Sequence, residues 1–267
     1  MIAILFFIFG GCIGSFLNVC IYRIPQNRSI FTPRSFCQRC KSPIKFYHNV
    51  PIISYIIIKG RCPFCKEKIS YIYITVELLS AVFALLYFLK FGFSAVFAFF
   101  FILTSLLIII SFIDVKRGII PNFITVPFTT IGFAFSFVFK KIKPFDSFLG
   151  IIAGAALLML IAWIYKAVTK KDGMGGGDIK LLAMIGAFIG FKGVLFTVTI
   201  SSLLGSIAGA LCFIFMKKKD FKYHGRFLST NKILLPFAPF LSAGAILYIF
   251  FGQALISWYM NLFTGFI

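Results

Sequence analysis

Two groups of residues in this chain have the types and the spacing for chemistry. The first is a set of four cysteines in two C-x-x-C pairs, with 21 residues between the pairs: Cys37, Cys40, Cys62 and Cys65. In a reducing compartment such thiols do not persist as disulfides, and two pairs supply the four thiolates of a tetrahedral zinc site. A four-thiolate site leaves no open coordination position, so we expect a structural Zn²⁺. Redox chemistry or another metal is the alternative for this pattern.

The segment between the two cysteine pairs has few apolar residues in helical register. Zinc binding is therefore expected to supply much of its folding free energy. His48 is a candidate fifth ligand, although an exposed histidine on a basic loop is the simpler interpretation. The other cysteines, Cys12, Cys20 and Cys212, are isolated in apolar runs and are interpreted as small hydrophobic residues.

The second group consists of carboxylates in or beside apolar runs. The chain has only seven acidic residues, and Glu77, Asp114 and Asp178 are the three so placed. An ionisable group there is costly and indicates function. Two carboxylates that share a proton can activate water against a peptide bond, so Asp114 and Asp178 are candidates for acid proteolysis. The alternative is that each is a helix-end residue, a cap or part of a solvated turn.

The elements that must hold these residues are membrane helices. Hydrophobic residues make up 60% of the chain and charged residues 13%, which excludes an ordinary soluble domain. The composition predicts an all-α polytopic membrane protein with about eight transmembrane helices and a cytoplasmic zinc-binding loop after the first helix. The eight apolar runs are 1–22, 72–89, 94–113, 123–139, 145–165, 179–191, 193–216 and 233–251.

This pattern divides the chain into a first transmembrane helix over 1–22, a zinc-binding loop over 23–71 and a membrane core over 72–267. The boundary near Lys192 is the least defined, and Pro127 is expected to kink its helix without breaking the span. Four Gly-xxx-Gly pairs could let helices pack closely, although 22 glycines also produce such pairs by chance.

The cations of the chain indicate its orientation in the membrane. With the N-terminus outside, 22 of the 27 Lys and Arg residues fall in cytoplasmic segments, as the positive-inside rule requires. Both termini are then predicted outside and both aspartates at the cytoplasmic edge. The first run has no basic residue before it, which favours a retained helix over a signal peptide. Because topology accounts for the cations, we expect no nucleic-acid partner.

Several motifs, in this order, resemble those of bacterial type IV prepilin peptidases, membrane aspartyl proteases of the GxGD kind that are also N-methyltransferases. The resemblance covers nearly the whole chain. The motifs are the segment 14–25, the paired C-x-x-C loop, Val76-Glu77-Leu78, Asp114 with Pro121-Asn122, the segment 175–180 and the segment 236–240.

The resemblance implies that Asp114 and Asp178 are catalytic. It also implies prepilin or pseudopilin substrates, cut after a glycine at the inner membrane and then methylated on the new N-terminus with S-adenosylmethionine, whose binding residues it does not indicate. The cysteine loop favours this bifunctional form over a peptidase without methyl transfer. Residues implied to support the active site or contact substrate are Gly175, Gly177, Lys180, Asn122 and Glu77.

Two questions stay open at this level. Glu77 could pair with Lys180 or Arg23, or contact substrate. A transporter or a scaffold of a secretion machine is the competing class, but carriers place coupling acids near the midplane, whereas these aspartates lie at one edge.

The helix dipole assigns different roles to the two aspartates. It favours the charged form of Asp178, which is expected at a helix N-terminus, and the protonated form of Asp114, which is expected after a helix C-terminus. Asp178 is therefore the expected base.

Overall fold

The computed structural model describes residues 2–32, 36–37, 39–43, 50–138, 142–170, 175–216, 222–223, 226–227 and 236–264. Almost all of the described chain is helical, and a short 3₁₀ helix over Ile24–Gln26 follows the first helix. Two antiparallel strands of two residues each, β1 (Lys222–Tyr223) and β2 (Arg226–Phe227), precede the last helix. The helices are α1 (Ile2–Arg23), α2 (Ile53–Ile57), α3 (Tyr71–Phe91), α4 (Ala95–Arg117), α5 (Asn122–Val138), α6 (Pro144–Thr169), α7 (Gly176–Met216) and α8 (Ala238–Thr264).

Five helices in the described part of the chain are long and apolar enough to cross a membrane, namely α1, α3, α4, α6 and α7. The apolar helices over Asn122–Val138 and Ala238–Gly252 are shorter. The all-α, multi-span class predicted from composition is confirmed, whereas the count of eight is not. Helix α5 continues through Pro127, as expected.

Of the three spans that make up the difference in count, two are the shorter helices α5 and α8, and the third is lost at α7, which joins the predicted sixth and seventh runs. Its 41 residues correspond to about 60 Å of helix, twice the hydrocarbon thickness. The helix is broken at Gly190, where φ is 72° and ψ is −178°, a conformation that glycine adopts readily. Lys192 interrupts the run of apolar residues in the sequence, whereas the break in the helical backbone lies two residues earlier, at Gly190. Ser147 Oγ donates to the carbonyl of Ala187, 2.8 Å away, beside this break.

The chain divides into two compact units, Met1–Ile109 and Ile110–Ile267. In the first unit, α1 packs closely against α3 along two glycines. A Cβ added at Gly10 would lie 2.6 Å from the Cβ of Ala84. A Cβ added at Gly14 would lie 2.7 Å from the Cα of Glu77. The first Gly-xxx-Gly pair is therefore a packing motif, and it places Glu77 directly beside α1.

In the second unit, α6 packs against α7 in the same way. The position of a Cβ at Gly150 is occupied by the backbone of Gly186, and a Cβ at Gly154 would lie 2.6 Å from the carbonyl oxygen of Leu182. Ser111 Oγ donates to Ser242 Oγ at 2.8 Å, which joins the end of α4 to α8. These contacts hold the helix ends that carry the two aspartates.

Candidate active site and metal centre

Asp114 lies in the last turn of α4, which continues to Arg117, so this aspartate is inside the helix and not after its end as expected. Its side chain is buried, with 8% of its surface exposed. Its Oδ2 accepts a hydrogen bond from the backbone N–H of Ala238, the first residue of α8, at 3.2 Å. Helix α8 thereby fixes the orientation of the Asp114 carboxylate.

Asp178 is the third residue of α7, so it lies in the first turn as expected. Its Oδ1 is buried and has no hydrogen-bond partner among the described residues. Its carboxyl group interacts electrostatically with that of Asp114. The structure thus brings together two acidic side chains from separate helices, one oriented by a backbone donor and the other with an oxygen available to accept a hydrogen bond.

Three of the predicted supporting residues lie around the start of α7. A Cβ added at Gly177 would be 2.8 Å from the Cβ of Ile120, so the connection between α4 and α5 touches the backbone here. Lys180 Nζ donates to Asn122 Oδ1 at 2.9 Å, which joins α7 to the start of α5. Both contacts hold the first turn of α7, and with it Asp178, against the segment that follows Asp114.

Gly175 and Glu77, the other predicted residues, occupy different surroundings. Gly175 is exposed, and an added Cβ would lie 3.8 Å from Asp178 Oδ2. Glu77 accepts the backbone N–H of Ile52 at 2.8 Å and interacts with the Ser15 hydroxyl. Its carboxylate therefore ties the zinc loop to α3.

The four cysteines of the first unit converge on one point. Their Sγ atoms all lie within 4.8 Å of one another, with 3.8 Å between Cys37 and Cys65 and 4.0 Å between Cys40 and Cys62. A tetrahedral site with Zn–S bonds of about 2.3 Å has sulfur–sulfur edges of roughly 3.8 Å. The cluster therefore has about the size of a four-thiolate zinc site. His48 lies outside the described residues.

The two cysteine pairs adopt the same local turn. The N–H of Lys41 donates to the carbonyl of Cys37, and that of Lys66 to the carbonyl of Cys62, at 2.9 Å in both cases. Lys41 and Lys66, each directly after the second cysteine of its pair, have φ values of 55° and 58°. The repeated geometry presents two thiols from each turn, as a closed four-thiolate site requires.

One thiol has an additional neighbour. The Ser42 hydroxyl lies 2.6 Å from Cys40 Sγ and lowers the pKa of this thiol to about 6. A lowered pKa favours the thiolate, which is the form that binds a metal.

Sequence reasoning gave no role to two residues that position the aspartates. Ala238 acts through its backbone N–H and Ile120 through its Cβ. Ala238 belongs to one of the motifs used above, the segment 236–240, but its side chain has no chemistry that would indicate a contact with Asp114. Only the packing of α8 reveals that contact.

Comparison with known proteins finds a family model that matches a segment of each unit. The model of the bacterial peptidase A24 N-terminal domain matches residues 8–91, and that of the type IV leader peptidase family matches residues 101–210. No solved structure matches the chain.

Several relatives are named prepilin leader peptidase/N-methyltransferase. The one from Bacillus subtilis (strain 168) is 35% identical over 265 residues, covering 99% of this chain and 100% of its own length. The relative from Aeromonas salmonicida (strain A449) is 31% identical over 284 residues, covering 96% and 93%. That from Neisseria gonorrhoeae is 33% identical over 225 residues, covering 75% and 79%. With this identity along nearly its whole length, the chain belongs to the type IV leader peptidase family.

Proposed function

We propose that this protein is a prepilin leader peptidase with N-methyltransferase activity. It cleaves the basic leader from type IV prepilins or pseudopilins after a glycine and then methylates the new N-terminus. The observation that carries the proposal is the pair of interacting carboxylates, Asp114 and Asp178, in a chain whose full-length relatives have this name.

The aspartates perform the hydrolysis as general base and general acid. One carboxylate takes a proton from water as the water oxygen bonds to the scissile carbonyl carbon. The other donates a proton to the amide nitrogen as the carbon–nitrogen bond breaks. Asp178 Oδ1, buried and without a protein partner among the described residues, can accept the hydrogen bond of such a water. Asp114, oriented by Ala238, then faces the peptide carbonyl.

The neighbouring residues support this chemistry. Gly175 keeps a side chain away from the Asp178 carboxylate, so an extended substrate backbone can approach it, whereas Gly177 lets Ile120 pack against the start of α7. The contact between Lys180 and Asn122 holds the first turn of α7 in place, and both residues are exposed where substrate would arrive. Glu77 acts elsewhere, on the zinc loop.

Cys37, Cys40, Cys62 and Cys65 hold a structural Zn²⁺ that cross-links their loop. S-adenosylmethionine supplies the methyl group. In that transfer the amine nitrogen of the new N-terminus bonds to the methyl carbon and loses a proton, while the electron pair of the sulfur–carbon bond stays on sulfur.

The protein resides in the bacterial inner membrane with eight crossings, both termini outside and the aspartates facing the cytoplasm. The break at Gly190 supports this count, because α7 is twice as long as one crossing requires and the break divides it into two segments. The excess of Lys and Arg in the predicted cytoplasmic segments supports the orientation. In this arrangement 1–22 is the first crossing, 23–71 the cytoplasmic zinc loop and 72–267 the peptidase core.

The direct test is cleavage of a purified prepilin by the purified protein in detergent. We expect Asp114→Asn and Asp178→Asn each to lower the cleavage rate by about 10² to 10⁴, the usual contribution of general acid–base catalysis. Asp146→Asn is the control, because Asp146 is an acid in the first turn of another apolar helix, α6. Cleavage that survives either substitution in the aspartate pair would refute the assignment of these residues. Cleavage without methyl transfer to the product would show that the protein is a peptidase only.

A further inference from the structure

A cavity of about 580 Å³ lies in the first unit, where the ends of α1 and α3 meet the zinc loop. Its volume is within the range of small-molecule sites, roughly 300–1,000 Å³. Helix α1 contributes Asn18 and Tyr22, the loop contributes Tyr55, and α3 contributes Tyr73 and Glu77. None of these residues belongs to the aspartate pair.

The walls of this cavity combine aromatic surface with charges of both signs. Three tyrosine rings line it, together with the half-buried carboxylate of Glu77 and the buried guanidinium of Arg23. Glu77 is held in place by the N–H of Ile52, and Asn18 Nδ2 donates to the carbonyl of Tyr73 at 2.9 Å. The lining is therefore anchored by contacts between its own elements.

We propose that this cavity binds S-adenosylmethionine, an inference that rests on the proposed methyltransferase function. The ligand carries a planar adenine, a sulfonium cation, an ammonium group and a carboxylate. Tyrosine rings attract both planar bases and cations, Glu77 supplies the negative charge that a sulfonium requires, and Arg23 supplies a positive charge for the carboxylate. A cavity of this volume suits this molecule better than the long apolar helix of a prepilin.

The zinc cluster shares a wall with this cavity, because Cys37 and Cys62 are among its lining residues. The metal site and the methyl-donor site are therefore physically continuous. It follows that loss of zinc should abolish binding of S-adenosylmethionine even where the aspartate pair is intact.

The test measures binding directly, by titration calorimetry on the zinc-loaded, full-length protein in nanodiscs. Val19, half-buried on α1, lines the cavity, so Val19→Trp should fill it and weaken S-adenosylmethionine binding about tenfold or more. Phe16→Trp is the matched control, since Phe16 is on the same helix, 45% exposed and not among the lining residues. Zinc content and the unfolding temperature establish that both variants are folded.

A second variant tests the role of charge. Glu77→Gln keeps the size of the side chain and an acceptor for Ile52, but removes the negative charge. It should weaken S-adenosylmethionine more than S-adenosylhomocysteine, because only the former has a sulfonium; we expect the ratio of the two affinities to change by about fivefold or more. An unchanged ratio would overturn the assignment of Glu77.

Photo-cross-linking of the wild-type protein with an azidoadenosine analogue of S-adenosylmethionine keeps the proposal testable if a variant fails to fold. We expect labelled peptides within residues 15–77. Labelling confined to 110–267, or undiminished binding in folded Val19→Trp, overturns the cavity assignment while leaving the methyltransferase function intact. A wild-type protein that cleaves prepilin but neither binds the methyl donor nor transfers a methyl group overturns the proposed methyltransferase function itself.

Discussion

Gly177 packs so closely against Ile120 that no side chain fits at position 177, since an added Cβ there would lie 2.8 Å from the Cβ of Ile120. Gly177 directly precedes Asp178, and Ile120 lies in the connection that follows Asp114. This contact sets how closely the start of α7 approaches the end of α4. Gly176, one residue earlier, faces open space, with nothing within 4 Å of an added Cβ.

Gly177→Ala should therefore impair prepilin cleavage by displacing Asp178. Misplacement by about 1 Å can cost about 10² in rate, so we expect kcat/KM to fall by roughly 10- to 100-fold. Gly176→Ala is the matched control and should cleave at nearly the wild-type rate. Ile120→Gly removes the opposing Cβ and should partly restore the Gly177→Ala enzyme. Equal losses in the two alanine variants would contradict this account.

The N–H of Ala238 should matter to catalysis through its hydrogen bond to Asp114. Ala238→Pro removes this donor at the first position of α8, where proline is well tolerated. A hydrogen bond to a neutral carboxyl group, the form predicted for Asp114, contributes about 0.5–1.5 kcal/mol, which corresponds to a roughly 2- to 10-fold fall in kcat/KM. Ala238→Gly keeps the N–H and is the control. A proline variant with normal activity and a normal unfolding temperature would show that the bond has no role.

The zinc cluster should contain one Zn²⁺ per chain, measurable by elemental analysis. Replacing both Cys62 and Cys65 by Ser should remove the metal and destabilise the protein by more than the roughly 0.5–3 kcal/mol of a typical point substitution, because metal binding supplies folding free energy. Cys212→Ser, at an isolated cysteine in α7, should keep the full metal content. Some peptidase activity should survive in the double variant, whereas methylation should not. An iron–sulfur chromophore in the wild-type protein would refute the zinc assignment.

The predicted orientation can be tested by labelling an introduced cysteine from each side of the membrane, with the background protein, which keeps the four cysteines of the zinc cluster, labelled in parallel as the blank. In a protein whose Cys12, Cys20 and Cys212 are serine, Lys143→Cys should react with an impermeant reagent from outside. Ile119→Cys should react only after the membrane is opened. Lys143 is exposed at the start of α6, and Ile119 is 48% exposed between α4 and α5. The reverse pattern would invert the topology and place the aspartates outside.

The assignment of Asp178 as base and Asp114 as the protonated partner stays a prediction. It rests on the helix dipole, and the hydrogen bond from Ala238 adds an interaction at Asp114 that the dipole argument did not include.

The sequence alone was sufficient to single out the groups that we propose carry chemistry. Thiols in C-x-x-C pairs and carboxylates beside apolar runs are rare side chains in costly or specific settings, so residue type and spacing point to them. Hydropathy likewise determined the all-α membrane class, because about 20 apolar residues per crossing is a local property. The first Gly-xxx-Gly pair was visible in the sequence too, although only the contacts of Gly10 and Gly14 with α3 distinguish it from chance.

The tertiary structure decided what these groups face. Asp114 and Asp178 lie together because α4, α5, α7 and α8 meet through a backbone N–H at Ala238 and a Cβ at Ile120. Every residue except proline has a backbone N–H and every residue except glycine has a Cβ, so neither group leaves a signal in the sequence. The same holds at Gly190, where a backbone dihedral breaks α7 two residues before the charge that the hydropathy pattern detects. The cavity beside Glu77 exists only because residues from α1, the zinc loop and α3, distant along the chain, are brought together by packing.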